Sequence, residues 1–448
     1  MTELPVVVVG AGPVGLAAAA EVSERGLPVL VLERGPHAGA AVGQWGHVRL
    51  FSRWAELVAP AALGLLEARG FQHPDAQSYP TGREWVRDYL APLADALGER
   101  VRFGAEVTGV ARRGRDRVVD AGRDSEPLTV QIRTASGEQD RVLARAVIDA
   151  SGTWGSPSPL GGDGLPALGE EAAADRISYR IPDLGDDAVA ARYAGRHVVV
   201  AGSGHSALTA LVGLAGLAER EPATRITWLL RREAEGQVFG GGEADQLPAR
   251  GALGLRAKAA VESGRVQVVR GFRTETVERD EHGTVRLRSS AGQAVDAIDE
   301  IVALTGLRPD LSWLSELRLE LDAALQAPVA LAPLIDPNLH SCGTVYPHGV
   351  KELAHPEPDV FLAGMKSYGR APTFLALTGY EQVRSIAAAL AGDRQAAERV
   401  ELVLPETGVC SGGGLADIAD TDAASDDGGC CGAPAEPVTV SLSAPTGR

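Results

Sequence analysis

One piece of chain grammar occurs twice in this sequence and constrains the fold more than anything else: a short strand, a glycine turn, a helix and a second strand. Val6–Val9 runs into Gly10-Ala-Gly12-Pro-Val-Gly15, a helical pattern from Val14 to about Arg25, and a strand pattern over Pro28 to Glu33. From Arg196 the order recurs: a strand at His197–Ala201, the turn Gly202-Ser-Gly204-His-Ser206-Ala, a helix from about Ser206 to Ala218, and a strand from Arg225 to Leu230. Continuous β-branched runs mark strands buried on both faces of a parallel sheet, and parallel neighbours need a helical crossover. The chain therefore reads as α/β with two similar units.

Length and charge agree with that. At 448 residues the chain exceeds one ordinary core. A net charge of -16 opposes a nucleic-acid or anionic membrane partner. No apolar run is long enough to span a bilayer, and Met1 to Pro5 lacks a basic leader, so a cytoplasmic protein is expected. Four cysteines are too few for a disulfide framework, which fits a reducing compartment.

Between the two units, Val101–Val110 and Leu128–Thr134 read as antiparallel strands around a polar segment, and Ala144–Ala150 as a buried strand. Gly155–Gly164 has the Gly, Pro and Ser content of a hinge. A last strand over Val360–Ala363 precedes a helix from about Phe374 to Leu390. The expected division is residues 1–160 and 329–404 for the first domain, 161–328 for an inserted second domain, and 405–448 for a disordered, acidic, Cys-containing tail without periodicity.

The turns carry the chemistry. In a G-x-G-x-x-G turn the first glycine, Gly10, makes the tight bend. Gly12 lets the backbone approach a pyrophosphate, and Gly15 lets helix and sheet pack closely. Glu33, 18 residues after Gly15, is placed to accept hydrogen bonds from a ribose diol and would repel a 2′-phosphate, which points to FAD. The second turn keeps Gly202 and Gly204, replaces the third glycine by Ala207, and its following strand ends in Arg231 and Arg232. Guanidinium groups pair a 2′-phosphate, which points to NADPH, although a solvated strand end also explains them.

On these residues the chain resembles the two-dinucleotide-binding flavoproteins: pyridine nucleotide-disulfide reductases, thioredoxin reductases and flavin-containing monooxygenases. The resemblance implies two Rossmann-like domains, the NAD(P)-binding one inserted in the FAD-binding one. Asp149-Ala-Ser-Gly152 and Leu304-Thr-Gly306 resemble the family's two crossing segments. Pro13 and Arg34 join the implied FAD contacts. Val107 matches the position whose backbone meets the flavin adenine, and Gln44 and Trp45, in Gly43-Gln-Trp-Gly46, match a stretch beside the isoalloxazine ring. Val360-Phe-Leu-Ala-Gly364 resembles the strand that leads to the ribityl chain, with Met365 where the family has an acid. Ser206 in the second turn is similar to the monooxygenase pattern.

A disulfide reductase needs paired redox cysteines beside the flavin, and none precedes Cys342, which leaves a pair assembled from Cys342 and Cys410 across the fold as its remaining form. The expected activity is hydride transfer from NADPH to FAD followed by oxygen activation at flavin C4a, acting on a small molecule. The alternatives are a reductase or oxidase that passes electrons to a thiol, quinone or metalloid, or a flavin-bearing metalloid binder. Against the monooxygenase pattern, its F-x-G-x-x-x-H segment is missing near Ala174–Tyr179. Arg49 is the candidate cation facing oxygen chemistry or an oxyanionic substrate, or else a salt bridge. Lys366 is the candidate cation near flavin N1, or else a surface lysine. The chain also resembles monooxygenase-like proteins encoded with arsenic-resistance genes, which implies that Cys410, Cys430 and Cys431, perhaps with Cys342, capture an arsenical; incidental tail cysteines are the alternative. His340, Cys342, His348 and His355 match no zinc spacing, so no metal site is expected.

Overall fold

The computed structural model describes residues 4–233, 238–245, 247–281, 283–339, 348–371 and 374–402. Along the chain the strands are β1 (Val6–Val9), β2 (Val29–Leu32), β3 (Val101–Arg102), β4 (Ala105–Arg112), β5 (Leu128–Thr134), β6 (Gln139–Ala144), β7 (Ala146–Asp149) and β8 (Ile177–Ser178). They continue as β9 (His197–Ala201), β10 (Arg225–Leu229), β11 (Val266–Val269), β12 (Thr274–Arg279), β13 (Val285–Ser289), β14 (Ala294–Ile298), β15 (Glu300–Ala303) and β16 (Val360–Leu362). Two five-stranded parallel sheets result, in the orders β16-β7-β1-β2-β3 and β11-β10-β9-β15-β8. Each carries a companion antiparallel sheet, β4-β5-β6 and β12-β13-β14 respectively.

The β-branched runs occupy the sheet centres because they are paired and covered on both sides. In β1, Val6 pairs with Val29 of β2 and with Ala146 of β7, and all four valines are buried. Burying one such side chain contributes roughly 1.5–3 kcal/mol. β9 is likewise wholly buried between β10 and β15. Helix Pro13–Glu24 covers the first sheet with four consecutive alanines, Ala17 to Ala20, all fully buried. Short side chains let helix Ala376–Leu390 come close: a Cβ on its Gly379 would stand 2.5 Å from Val14.

One sequence expectation needs correction. The single strand expected over Val101–Val110 is two strands, because Gly104 adopts φ +63 and turns the chain. Before it, β3 extends the parallel sheet; after it, β4 starts the antiparallel one. The segment Gly155–Gly164, read as the boundary between domains, makes local contacts on both sides. Leu160 N–H donates to Glu170 at 2.8 Å, Thr305 Oγ1 donates to the Ser158 carbonyl at 2.7 Å, and a Cβ on Gly161 would stand 2.0 Å from the Leu165 carbonyl oxygen.

Glu357, just ahead of β16, is buried between two arginines far away in sequence. Its Oε1 accepts from Arg112 Nε at 2.7 Å and its Oε2 from Arg123 Nη2 at 2.8 Å. All three side chains are about 1–2% exposed. Burial pushes the Glu357 carboxyl up, but hydrogen bonds from Arg123 and Arg112 outweigh it and hold the group below its ordinary value of 4.5. The carboxylate therefore stabilises the fold above that value, and its contribution is lost as pH falls below it. Glu357→Ala strands two buried guanidiniums and is expected to cost roughly 3–5 kcal/mol. Denaturant unfolding at neutral pH measures this; a loss below 1 kcal/mol contradicts the role given to the triad.

Candidate functional site

Both glycine turns are built against the strand end beside them, in the same way. Gly10 has φ +99, and a Cβ there would lie 2.9 Å from the Ala150 carbonyl oxygen, just past β7. Gly202 has φ +128, and its Cβ would lie 2.2 Å from the Leu304 carbonyl oxygen, just past β15. Only glycine fits either place. A Cβ on Gly15 would strike the Gly10 carbonyl oxygen at 1.9 Å, whereas the second turn accepts the fully buried methyl of Ala207. Gly12 and Gly204 differ from the others: nothing stands within 4 Å of a Cβ on either. Their open side is where a ligand backbone can approach.

Each of those two glycines is also the N-cap of its helix, Pro13–Glu24 and His205–Arg220, and neither helix has a side-chain cap or an acidic residue in its first turn. Pro13 takes the first helical position, where its missing N–H is not needed. Apart from Ala207 N–H, which donates to the Gly204 carbonyl at 2.9 Å, the first-turn N–H groups are left for an anion, and the helix dipole favours one. Glu33 stands at the rim of the first turn, its carboxylate accepting Ala11 N–H at 2.7 Å and Gly35 N–H at 2.6 Å. A carboxylate has about four acceptor sites, so two remain for a ribose diol. This is a fit for FAD.

The second turn presents different charge. Arg231 is exposed and Arg232 half-buried beyond β10, and among the described residues neither has an ion-pair partner. Ser206 is exposed in the first helical turn. His205 beside it meets the Phe51 ring edge-on at 5.4 Å. Although His205 is exposed to solvent, desolvation by its neighbours, then the charge of Arg250, pushes its imidazole below the usual range. Attraction for a phosphate falls to the backbone and to the two arginines.

The other expected residues are placed as follows. Gly152 (φ +69), Gly306 (φ +104) and Gly364 (φ +68) all turn in the left-handed region. Gly364 N–H donates to Gln382 at 2.8 Å, and Met365 is half-buried. Val107 sits half-buried in β4, where the register shifts before Gly109. Gln44 accepts from Trp154 Nε1 at 2.9 Å, and the Trp45 ring lies against Gly82. Arg34 lies against Gly155. An open cleft of about 560 Å³ lies beyond this loop, between His47, residues 181–185 and helix His205–Arg220.

Arg49 and Lys366 are not brought together. Arg49 is largely exposed, donates to the Tyr79 carbonyl and lies 3.9 Å from Glu84. Lys366 is 1% exposed, so the surface-lysine alternative fails. Its ammonium pairs with Asp149 at 2.7 Å, touches Ser151 Oγ at 3.0 Å and lies 4.7 Å from the Trp313 ring centre. Asp149 appeared in the sequence only as part of a crossing motif. A charged residue ending a buried strand was the available signal.

His348 lies beside Gln382 at 2.8 Å, and His355 accepts Glu320 N–H at 3.3 Å, so the two have separate surroundings. Burial pushes the His355 imidazole down to about 4. Among the described residues no cluster of metal-ligating groups forms. Cys342, Cys410, Cys430, Cys431 and His340 lie outside the described residues.

The two kinds of glycine predict two kinds of defect. Gly12→Ala should fold with an unchanged Tm but bind FAD on the order of tenfold or more weakly, because its methyl points only at the ligand. Gly15→Ala should lower stability itself, since the Gly10 carbonyl must move. Thermal melts with and without FAD separate them; equal melting losses in both contradict the assignment.

The comparisons with known proteins agree with this geometry. The model of the pyridine nucleotide-disulphide oxidoreductase family matches residues 7–331. The chain is 28% identical over 315 residues to a ferredoxin–NADP reductase of Cupriavidus pinatubonensis, covering 68% of this chain and 71% of that protein. It is 31% identical over 202 residues to an indole-3-pyruvate monooxygenase of Oryza sativa, covering 45% and 43%. Among solved structures, the bacillithiol disulfide reductase of Bacillus cereus matches with TM-score 0.62 and 20% identity over 87% of this chain and 99% of its own. The FAD-bound cadaverine monooxygenase of Erwinia amylovora matches with TM-score 0.62 and 16% identity over 90% and 99%. These two structural matches speak to the fold alone. No described helix is long and apolar enough to cross a membrane. The chain belongs to the pyridine nucleotide-disulphide oxidoreductase family and is an FAD- and NAD(P)-dependent oxidoreductase.

Proposed function

We propose that this oxidoreductase takes hydride from NADPH into FAD and delivers the electrons to oxygen and a small-molecule substrate, as a flavin monooxygenase does. One observation carries the reading: two open glycine turns occur in a chain with no cysteine before Cys342. Residues 1–341 hold no dithiol to receive electrons from a flavin, so a dithiol acceptor within the chain would have to come from Cys342, Cys410, Cys430 and Cys431. Bound FAD supplies hydride acceptance and onward electron or oxygen transfer. The protein's share is positioning. The N–H groups at Gly12 and Gly204 hold the two diphosphates, Glu33 holds the ribose diol of FAD, and Arg231 with Arg232 selects the 2′-phosphate of NADPH.

A second reading, a reductase that hands electrons to an acceptor without inserting oxygen, is favoured by coverage: the chain spans 71% of the ferredoxin–NADP reductase and 43% of the plant monooxygenase. Oxygen consumption separates the two. Under air, a monooxygenase uses oxygen in step with product and releases little peroxide once its substrate is present. A reductase shows no substrate-dependent oxygen incorporation, and that result overturns the first reading.

The arsenical substrate rests on Cys410, Cys430 and Cys431 and on the resemblance to proteins encoded with arsenic resistance. Equal arsenite binding by the wild type and a variant with all three changed to serine contradicts it. For the nucleotide, Arg231→Ala should raise the KM for NADPH roughly tenfold or more, since charge-assisted pairs to phosphate are strong, while leaving NADH kinetics unchanged. Equal effects on both nucleotides contradict the assignment.

A further inference from the structure

Two neighbouring residues, Leu50 and Phe51, are divided between two cores. Leu50 packs, with Trp45, on the core of the first sheet. Phe51 packs on the core of the second sheet, and every other residue of that cluster lies between positions 184 and 304. The half-buried Phe51 ring meets His205 edge-on, with centres 5.4 Å apart and planes at 67°. His205 opens helix His205–Arg220 and directly follows Gly204, the glycine with the open side.

The segment that ends at Phe51 begins at the first glycine turn. There Gly39 N–H donates to the Ala11 carbonyl at 2.8 Å. On the way the chain is clamped to residues 80–83. Arg83 N–H donates to the Gly46 carbonyl at 2.8 Å, Gly82 N–H to the Val48 carbonyl at 2.9 Å, and Leu50 N–H to the Pro80 carbonyl at 2.9 Å. The Trp45 ring takes the place of a Gly82 side chain, 2.9 Å from where its Cβ would be. Residues 39–51 therefore form a fixed link from one turn to the other.

The link meets the second sheet's side at one more place. His47 and Arg83 lie 3.9 and 3.6 Å from the Asp183 carboxylate. Both distances exceed a hydrogen bond, and the Arg83 side chain is 72% exposed, so this contact contributes little. The apolar contact of Phe51 is the one that ties the link to the second turn.

Hydride passes between two rings only when the reacting atoms are held about 3–3.5 Å apart. In the proposed transfer the reduced nicotinamide is oxidised as the flavin is reduced, and neither partner is bound by Phe51. We infer that Phe51 is a positioning residue for this transfer: pressed against His205, it fixes the second turn relative to the loop that starts at the first. The inference rests on the proposed transfer from NADPH to FAD and names the residue that sets its geometry.

The test uses the full chain, with FAD for anaerobic stopped-flow reduction and without it for hydrogen exchange. Phe51→Ala should lower the limiting rate of flavin reduction at saturating NADPH roughly 2- to 12-fold, the range for a lost edge-to-face pair, at an unchanged half-saturating concentration. Phe51→Tyr, which keeps the ring, should hold the wild-type rate. His205→Ala should match Phe51→Ala, and the double variant should be no slower than either single one. In the flavin-free chain, Phe51→Ala should speed amide exchange in residues 44–52 and 204–209 and not elsewhere. Should Phe51→Ala not fold, Phe51→Leu and His205→Ala carry the comparison. Limiting rates and exchange equal to wild type, losses that multiply in the double variant, or NADPH binding weakened by the same factor as the rate overturn the inference alone. A wild-type flavin that NADPH leaves oxidised overturns the proposed transfer as well.

Discussion

The structure depends on a contact from which a side chain is excluded. At Gly10 the backbone bends against the Ala150 carbonyl, and at Gly202 against the Leu304 carbonyl, with no room for a Cβ in either place. Two residues on, Gly12 and Gly204 face open space. One steric condition is therefore used twice, once in each unit. The buried valines of β1 and β9 hold the strands that make the condition hold.

From that shared frame the two units diverge by charge at the end of the second strand. Glu33 follows β2 and Arg231 follows β10 by two positions. A carboxylate there suits a free ribose diol, and a guanidinium suits a phosphorylated one. Under the proposed function, one chain would thus tell donor from acceptor dinucleotide without changing the fold. The charged groups nearest the first turn are handled in two ways. Lys366 is neutralised in place by Asp149, whereas Arg180 stacks on the Trp154 ring.

What was legible in the sequence follows from how local each feature is. The glycine turns, the strands around them and Glu33 lie within short stretches whose spacing reflects one turn or one crossover. Gly104 is a different case: it looks like any glycine inside a strand pattern, yet its left-handed φ divides Val101–Val110 between two sheets. The triad of Arg112, Arg123 and Glu357 joins residues more than 230 positions apart, so only the folded chain brings them together. The Arg180–Trp154 contact carried no local signal, because it joins residues 26 positions apart. Burial of Lys366 was likewise invisible, since the acid that permits it ends a different strand.

The central claim is that one chain binds two dinucleotides at its two glycine turns and passes hydride between them. Anaerobic mixing of the FAD-loaded protein with NADPH, with the flavin absorbance followed through the reaction, tests it most directly. The account predicts rapid two-electron reduction at one NADPH per FAD, faster with NADPH than with NADH. A flavin that binds but stays oxidised under excess NADPH would contradict it.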